Sequence, residues 1–197
     1  MLAVRADGEA LDAATLGAGR AGVVFANQSD GDPCDWLSLA SELARRARRV
    51  AVFAYAAPGS ADEVLAVARA LRKTGARSVA LIGASIGGRA VIEAAAQSGG
   101  TVAAAVSLSA ERSVGRRPDI LPVARRVRVA SLYIGSRDDG YTTFGRETRQ
   151  LHRVTPARVN RMLLVPGDDH GVDLLSDANG PRVRAAIIDF LDANTER

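Results

Sequence analysis

Gly83-Ala84-Ser85-Ile86-Gly87 sets a serine between two glycines in a G-x-S-x-G spacing. A hydroxyl attacks a carbonyl only when it stands clear of its surroundings and a neighbouring base takes its proton. The glycines serve the first need: small residues two before and two after the serine let a strand and a helix close around a sharp turn. The search for the base is short, because the chain has two histidines. His170 lies in Pro166-Gly167-Asp168-Asp169-His170-Gly171, directly after an apolar run. His152 lies among Arg149, Gln150 and Arg153 in a helical stretch, where a solvated face is the simpler reading. A carboxylate to orient the base is available in Ile134-Gly135-Ser136-Arg137-Asp138-Asp139-Gly140, from either Asp138 or Asp139. Ser85, one of these aspartates and His170 have the side chains for acyl transfer through a covalent serine intermediate.

For these residues to meet, the elements that carry them must end at one edge. Six short apolar runs read as strands: Gly22–Ala26, Val50–Tyr55, Ser78–Ile82, Val102–Leu108, Val129–Ile134 and Arg161–Val165. They are nearly continuous in apolar residues, as parallel strands buried on both faces require. Helical stretches alternate with them at Asp35–Arg46, Ser60–Lys73, Ser85–Gln97, Ile120–Arg126, Tyr141–Val154 and Pro181–Ala193. Ser60-Ala61-Asp62-Glu63 reads as a capping box. This rhythm predicts a doubly wound α/β fold, a mostly parallel sheet with helices on both faces. Ser85, Asp138 or Asp139, and His170 then all follow C-terminal strand ends, where open sheets of this kind form their sites. The first twenty residues carry weaker signals. A hairpin turning at 6–9 is one reading, and 13–21 is strand or irregular. With no repeat or linker, residues 1–197 are expected to form a single domain.

Composition removes other classes. Charged residues are 24% of 197 and apolar ones 47%, a globular balance. The net charge of +4 raises nucleic acid as a partner, but the 8 aromatic residues are scattered and build no stacking platform. The basic residues are also nearly all arginine, with Lys73 the lone lysine. Arg45, Arg46, Arg48 and Arg49 close one helical stretch, and Arg125, Arg126 and Arg128 another, where cations complement the helix end. One cysteine, Cys34, makes neither a disulfide framework nor a thiolate metal site, and no cofactor or metal is expected. No apolar run approaches membrane-spanning length and the first residues do not read as a signal peptide, so a cytoplasmic protein without a membrane partner is expected. The glycines at 83–88 also resemble the cofactor turn of short-chain dehydrogenases. Those enzymes need a downstream Tyr-x-x-x-Lys, and Lys73 lies upstream. No Gly-Lys-Ser/Thr phosphate loop occurs.

From about Ala21 onward the chain resembles the α/β-hydrolase superfamily, near its compact, lidless, dienelactone-hydrolase-like members. The elbow Gly83–Gly87, the loop Gly135-Ser136-Arg137-Asp138 and the pair His170-Gly171 carry the resemblance, in the family's Ser…Asp…His order. Aligning the family's G-x-x-D loop selects Asp138 over Asp139. Dienelactone hydrolases have cysteine at the elbow, so Ser85 leaves that particular activity unimplied. The oxyanion hole is expected from the backbone N–H of Ile86, directly after the nucleophile, and, by the resemblance, from that of Gln28, with Asn27 where histidine is common. The resemblance implies a serine hydrolase cleaving a small ester or thioester. A non-catalytic binding protein of the same fold and an acyltransferase are the alternatives. Residues 109–128 are too few for a lid domain, which predicts an open site, and Arg112, Arg116 and Arg117 there offer attraction for an acidic substrate or merely solvated charge. The sequence marks no oligomeric contact.

Overall fold

A computed structural model describes residues 2–6, 8–29, 31–113, 115–143, 145–176 and 178–195. All six apolar runs are strands, and they pair side by side in one seven-stranded sheet. In chain order the strands are β1 (Val4–Ala6), β2 (Glu9–Leu11), β3 (Ala13–Leu16), β4 (Ala21–Ala26), β5 (Arg48–Phe53), β6 (Ser78–Ala84), β7 (Ala104–Leu108), β8 (Ala130–Ser136) and β9 (Asn160–Val165). The sheet order is β3-β5-β4-β6-β7-β8-β9. Only β3 runs antiparallel, pairing Ala13 with Phe53 and Leu16 with Val50. β1 and β2 form a separate antiparallel pair. Its turn includes Asp7, which lies outside the described residues.

Burial explains the continuous apolar character of the central strands. Every residue of β4, β6 and β7 is buried, so both faces of the pleat need apolar side chains. Successive side chains point to opposite faces: Val24 and Ala26 join one core cluster, and Val23 and Phe25 the other. The first cluster also takes in α2 (Ala61–Lys73), α3 (Ile86–Ala96), α4 (Leu121–Ala124) and α5 (Arg146–Val154). The second is covered by α1 (Leu37–Arg45) and α6 (Gly180–Asn194). Phe25 and Trp36 stack there with ring centroids 4.7 Å apart. Arg48, 1% exposed, pins the end of α6 by donating to Thr195 Oγ1 at 2.8 Å and Asp192 Oδ1 at 2.6 Å.

The predicted helices differ from the observed ones mainly at their starts. The first is split into a 3-10 turn, Pro33–Trp36, and α1, because Asp32 and Asp35 cap the turn reciprocally. α5 begins at Arg146 rather than near 141, since Asp139 draws the following backbone into a turn. The capping box at Ser60 is half formed. Ser60 Oγ accepts from the Glu63 N–H, but the Glu63 carboxylate accepts from the N–H groups of Ala56 and Ala57 instead of closing the box. Those two loop donors would otherwise lack partners. Among the described residues, the segment between β7 and β8 holds no helix beyond the four-residue α4, and therefore no separate lid.

Candidate active site

Parallel strands align their C-terminal ends, and five consecutive ends of this sheet carry the polar groups of the site. Ser85 follows β6. The Asn27–Gln28 loop follows β4, Glu111 lies beyond β7, Asp139 beyond β8 and His170 beyond β9.

The elbow is built as the glycine spacing requires. Ser85 has φ 51° and ψ −117°, a conformation L-residues seldom adopt, and it caps α3. The tight turn leaves no room for larger neighbours. A Cβ on Gly83 would stand 2.3 Å from the Gly87 carbonyl oxygen, and one on Gly87 would stand 2.3 Å from that of Ala26. The second contact brings the start of α3 against the end of β4. The N–H groups of Ile86 and Gln28, the two expected oxyanion donors, come to the same sheet edge through it, and neither donates to another group among the described residues. The open N-terminal N–H groups of α3 add a partial positive charge on this side.

The loop after β4 is fixed by its side chains. Asn27, buried, donates through Nδ2 to the Phe53 carbonyl at 2.8 Å. Gln28 Oε1 accepts from the Val172 N–H at 3.1 Å, tying this loop to the one that carries His170. Gly171 makes room for that bridge: with φ +60°, it would place a Cβ 2.1 Å from Gln28 Oε1. Ser136 Oγ adds a second tie to the histidine loop by donating to the Asp169 carbonyl at 2.7 Å.

Asp139, not Asp138, meets the histidine. His170 Nδ1 and Asp139 Oδ2 are 2.9 Å apart. The Asp139 carboxylate is completely buried, and its Oδ1 accepts from the Tyr141 N–H at 2.9 Å and the Thr142 N–H at 3.4 Å. Asp138 is exposed, and its backbone N–H bonds the Gly167 carbonyl at 3.0 Å. The backbone pairing of 137 and 138 continues from β8, and only the next residue turns inward, so the aspartate that meets His170 is not the one that aligning G-x-x-D selects. Burial pushes the Asp139 carboxyl up, but the hydrogen bond and charge of His170 and the turn donors outweigh it, leaving the pKa below the ordinary aspartate value. The carboxylate therefore stays ionised and fixes a proton on Nδ1. The other ring nitrogen, Nε2, is left to accept. Tyr141, 73% exposed, lies against the imidazole with ring centroids 4.7 Å apart.

Ser85 Oγ is directed elsewhere: it donates to Glu111 Oε1 at 3.0 Å, and no bond joins Ser85 to His170 in this arrangement. Sequence patterns offer no handle on Glu111, which belongs to none of the spacings that single out the other residues. The nearest signal is its place just past a buried strand. His152, on α5, makes no side-chain hydrogen bond among the described residues, and its backbone carbonyl accepts from Asn160 Nδ2 at 2.8 Å. Cys34 is free and exposed, and the hydrogen bond its thiol donates to Asp32, together with the charge of that carboxylate, pushes the thiol up, away from a reactive thiolate. No group of His, Cys, Asp and Glu able to hold a metal ion occurs among the described residues.

A cavity of about 650 Å³ lies between the β1 region and α2 and shares no residue with the site. A smaller one of about 180 Å³ opens beside the loop after β4, lined by Asn27, Gln28, Tyr55 and Pro58 among others.

No family model and no curated protein matches the sequence. Solved structures match it over nearly its whole length. A monoacylglycerol lipase from Paleococcus ferrophilus superposes with a TM-score of 0.79 at 15% identity, covering 93% of this chain and 98% of that one. An esterase from Pyrococcus furiosus gives 0.80 at 12% identity, over 98% and 89%. A thermophilic esterase from Thermogutta terrifontis gives 0.76 at 15%, over 98% and 97%. The chain has the α/β-hydrolase fold, in a form without a separate lid domain.

Proposed function

We propose that the chain is a serine hydrolase of small ester-like substrates, with Ser85, His170 and Asp139 as its triad. The observation that carries this reading is the 2.9 Å His170–Asp139 pair, set on the same sheet edge as a serine held at φ 51°. Strain of this kind costs on the order of 1–3 kcal/mol and persists where the surroundings impose it.

In this mechanism Ser85 leaves Glu111 and donates to His170 Nε2. Resting structures often lack the aligned catalytic hydrogen bond. Ser85 Oγ attacks the substrate carbonyl carbon as Nε2 takes its proton. Asp139 steadies the imidazolium without accepting a proton itself. The N–H groups of Ile86 and Gln28 bind the developing oxyanion. Nε2 then protonates the leaving alcohol or thiol, and an acyl ester remains on Ser85. A water molecule, deprotonated at Nε2, cleaves that ester and regenerates the serine. The segment between β7 and β8, too short for a lid domain, leaves the site open and favours a small or exposed acyl group. The similar structures include esterases and a lipase, which supports the reaction class.

The test is turnover of a short-chain p-nitrophenyl ester alongside labelling by a fluorescent fluorophosphonate. The natural protein is expected to do both, and Ser85→Ala and His170→Ala neither. Full turnover by Ser85→Ala, or a folded natural protein that neither labels nor turns over, overturns the reading.

A further inference from the structure

Glu111 brings a negative charge to the nucleophile, and it is held there by its surroundings. Ser109, at the end of β7, is fully buried with φ 47°, and this turns the chain so that Glu111 reaches Ser85. The residue after Glu111 is fastened at both backbone groups. The Arg112 N–H donates to Glu147 Oε2 at 2.7 Å, and the Arg112 carbonyl accepts from Arg89 Nη1 at 2.7 Å. Arg89 itself is buried on α3 and also donates to the Pro118 carbonyl.

The cations nearby are engaged away from Glu111. The Arg112 guanidinium is spent on Asp119 and on Gln150 Oε1. Arg117 donates to the carbonyls of Pro58 and Gly59. Arg116 is exposed, and no described cation forms an ion pair with Glu111. Of the arginines that in the sequence suggest attraction for an acidic substrate, Arg112 and Arg117 therefore brace the loop and Arg116 is solvated, and the group presented to Ser85 is a partly exposed carboxylate.

We propose that Glu111 is a specificity-determining residue that selects substrates by charge. It favours esters carrying an ammonium group near the reacting carbonyl and disfavours those carrying a carboxylate there. The inference rests on the serine-hydrolase reading. When Ser85 turns to His170, Glu111 loses its hydrogen-bond donor beside the acyl carbon, and a substrate ammonium replaces it. A substrate carboxylate meets like charge instead. At the edge of a partly solvated cleft this attraction is screened, and the expected preference is about tenfold in kcat/KM, or about 1.4 kcal/mol.

The experiment compares, on the full chain, the butyrate esters of phenol, 3-(trimethylammonio)phenol and 3-hydroxybenzoate, whose charged groups cannot reach their own ester carbonyl. The ammonium ester is expected to exceed the carboxylate ester about tenfold in kcat/KM, with the ratio shrinking at high salt. Glu111→Gln, which keeps the size and an acceptor, should bring the ratio to within about twofold of unity, and Glu111→Lys should invert it. Turnover of all three esters without charge preference, or a ratio unmoved in both variants, overturns the charge inference and leaves the hydrolase reading standing. Absence of turnover together with absence of fluorophosphonate labelling overturns the hydrolase reading, and this inference falls with it.

Discussion

Replacing Asp139 by asparagine removes one charge from a completely buried position while keeping the volume of the side chain. Asp139 Oδ1 can remain an acceptor for the Tyr141 and Thr142 N–H groups. The amide nitrogen then faces His170 Nδ1 at the former 2.9 Å contact and donates to it. That forces the ring proton onto Nε2, the nitrogen that must receive the serine proton. The electrostatic loss adds to the wrong tautomer. An imidazolium about 4 Å from a carboxylate gains about 4 kcal/mol at an effective dielectric of 20, or about three decades in rate. With the tautomer effect, kcat for a short-chain ester should fall about 10³–10⁴-fold, in the range of the same exchange in serine-protease triads. Asp138→Asn is the internal control, because an exposed carboxylate away from the ring should change the rate by about twofold at most. Initial rates on both variants, with circular dichroism melts to verify folding, decide the matter. A large loss in Asp138→Asn with Asp139→Asn near normal refutes the geometry on which the site is built.

Two further outcomes follow from the same structure. Ser85→Gly should be inactive yet melt about 2–4 °C above Ser85→Ala, because glycine relieves the strain at φ 51° that alanine retains; thermal melts of the two variants check this. Asp139 has a folded-state pKa below its unfolded value, so its contribution to stability is present above the unfolded value of about 3.9 and is lost as pH falls through the folded value. Urea midpoints between pH 7 and pH 3 should therefore drop less steeply in Asp139→Asn than in the natural protein.

The sheet is legible in the sequence because buried parallel strands tolerate few polar residues, and β4, β6 and β7 are buried throughout. The elbow is legible because Gly83 and Gly87 answer a backbone contact that no larger residue survives. β3 is obscure for the opposite reason. It is a four-residue edge strand with two exposed positions, and its pairing with β5 leaves little imprint on residue type. The choice between Asp138 and Asp139 depends on where a backbone turn begins after β8, which two adjacent identical side chains cannot reveal. Glu111 is obscure because its role comes from the left-handed backbone at Ser109 and from Arg89 anchoring the loop across α3. Both are long-range consequences of the fold. The bridge from Gln28 to Val172 is of the same kind: it spans 144 positions of the chain.

The central claim is that Ser85 becomes covalently acylated. Rapid acid quenching of the natural protein during turnover of p-nitrophenyl butyrate, followed by digestion and mass spectrometry, tests this most directly. A butyryl group is expected on Ser85, absent in Ser85→Ala and slow to form in Asp139→Asn. Turnover that proceeds at full rate with the acyl group on another residue, or undiminished in Ser85→Ala, contradicts it.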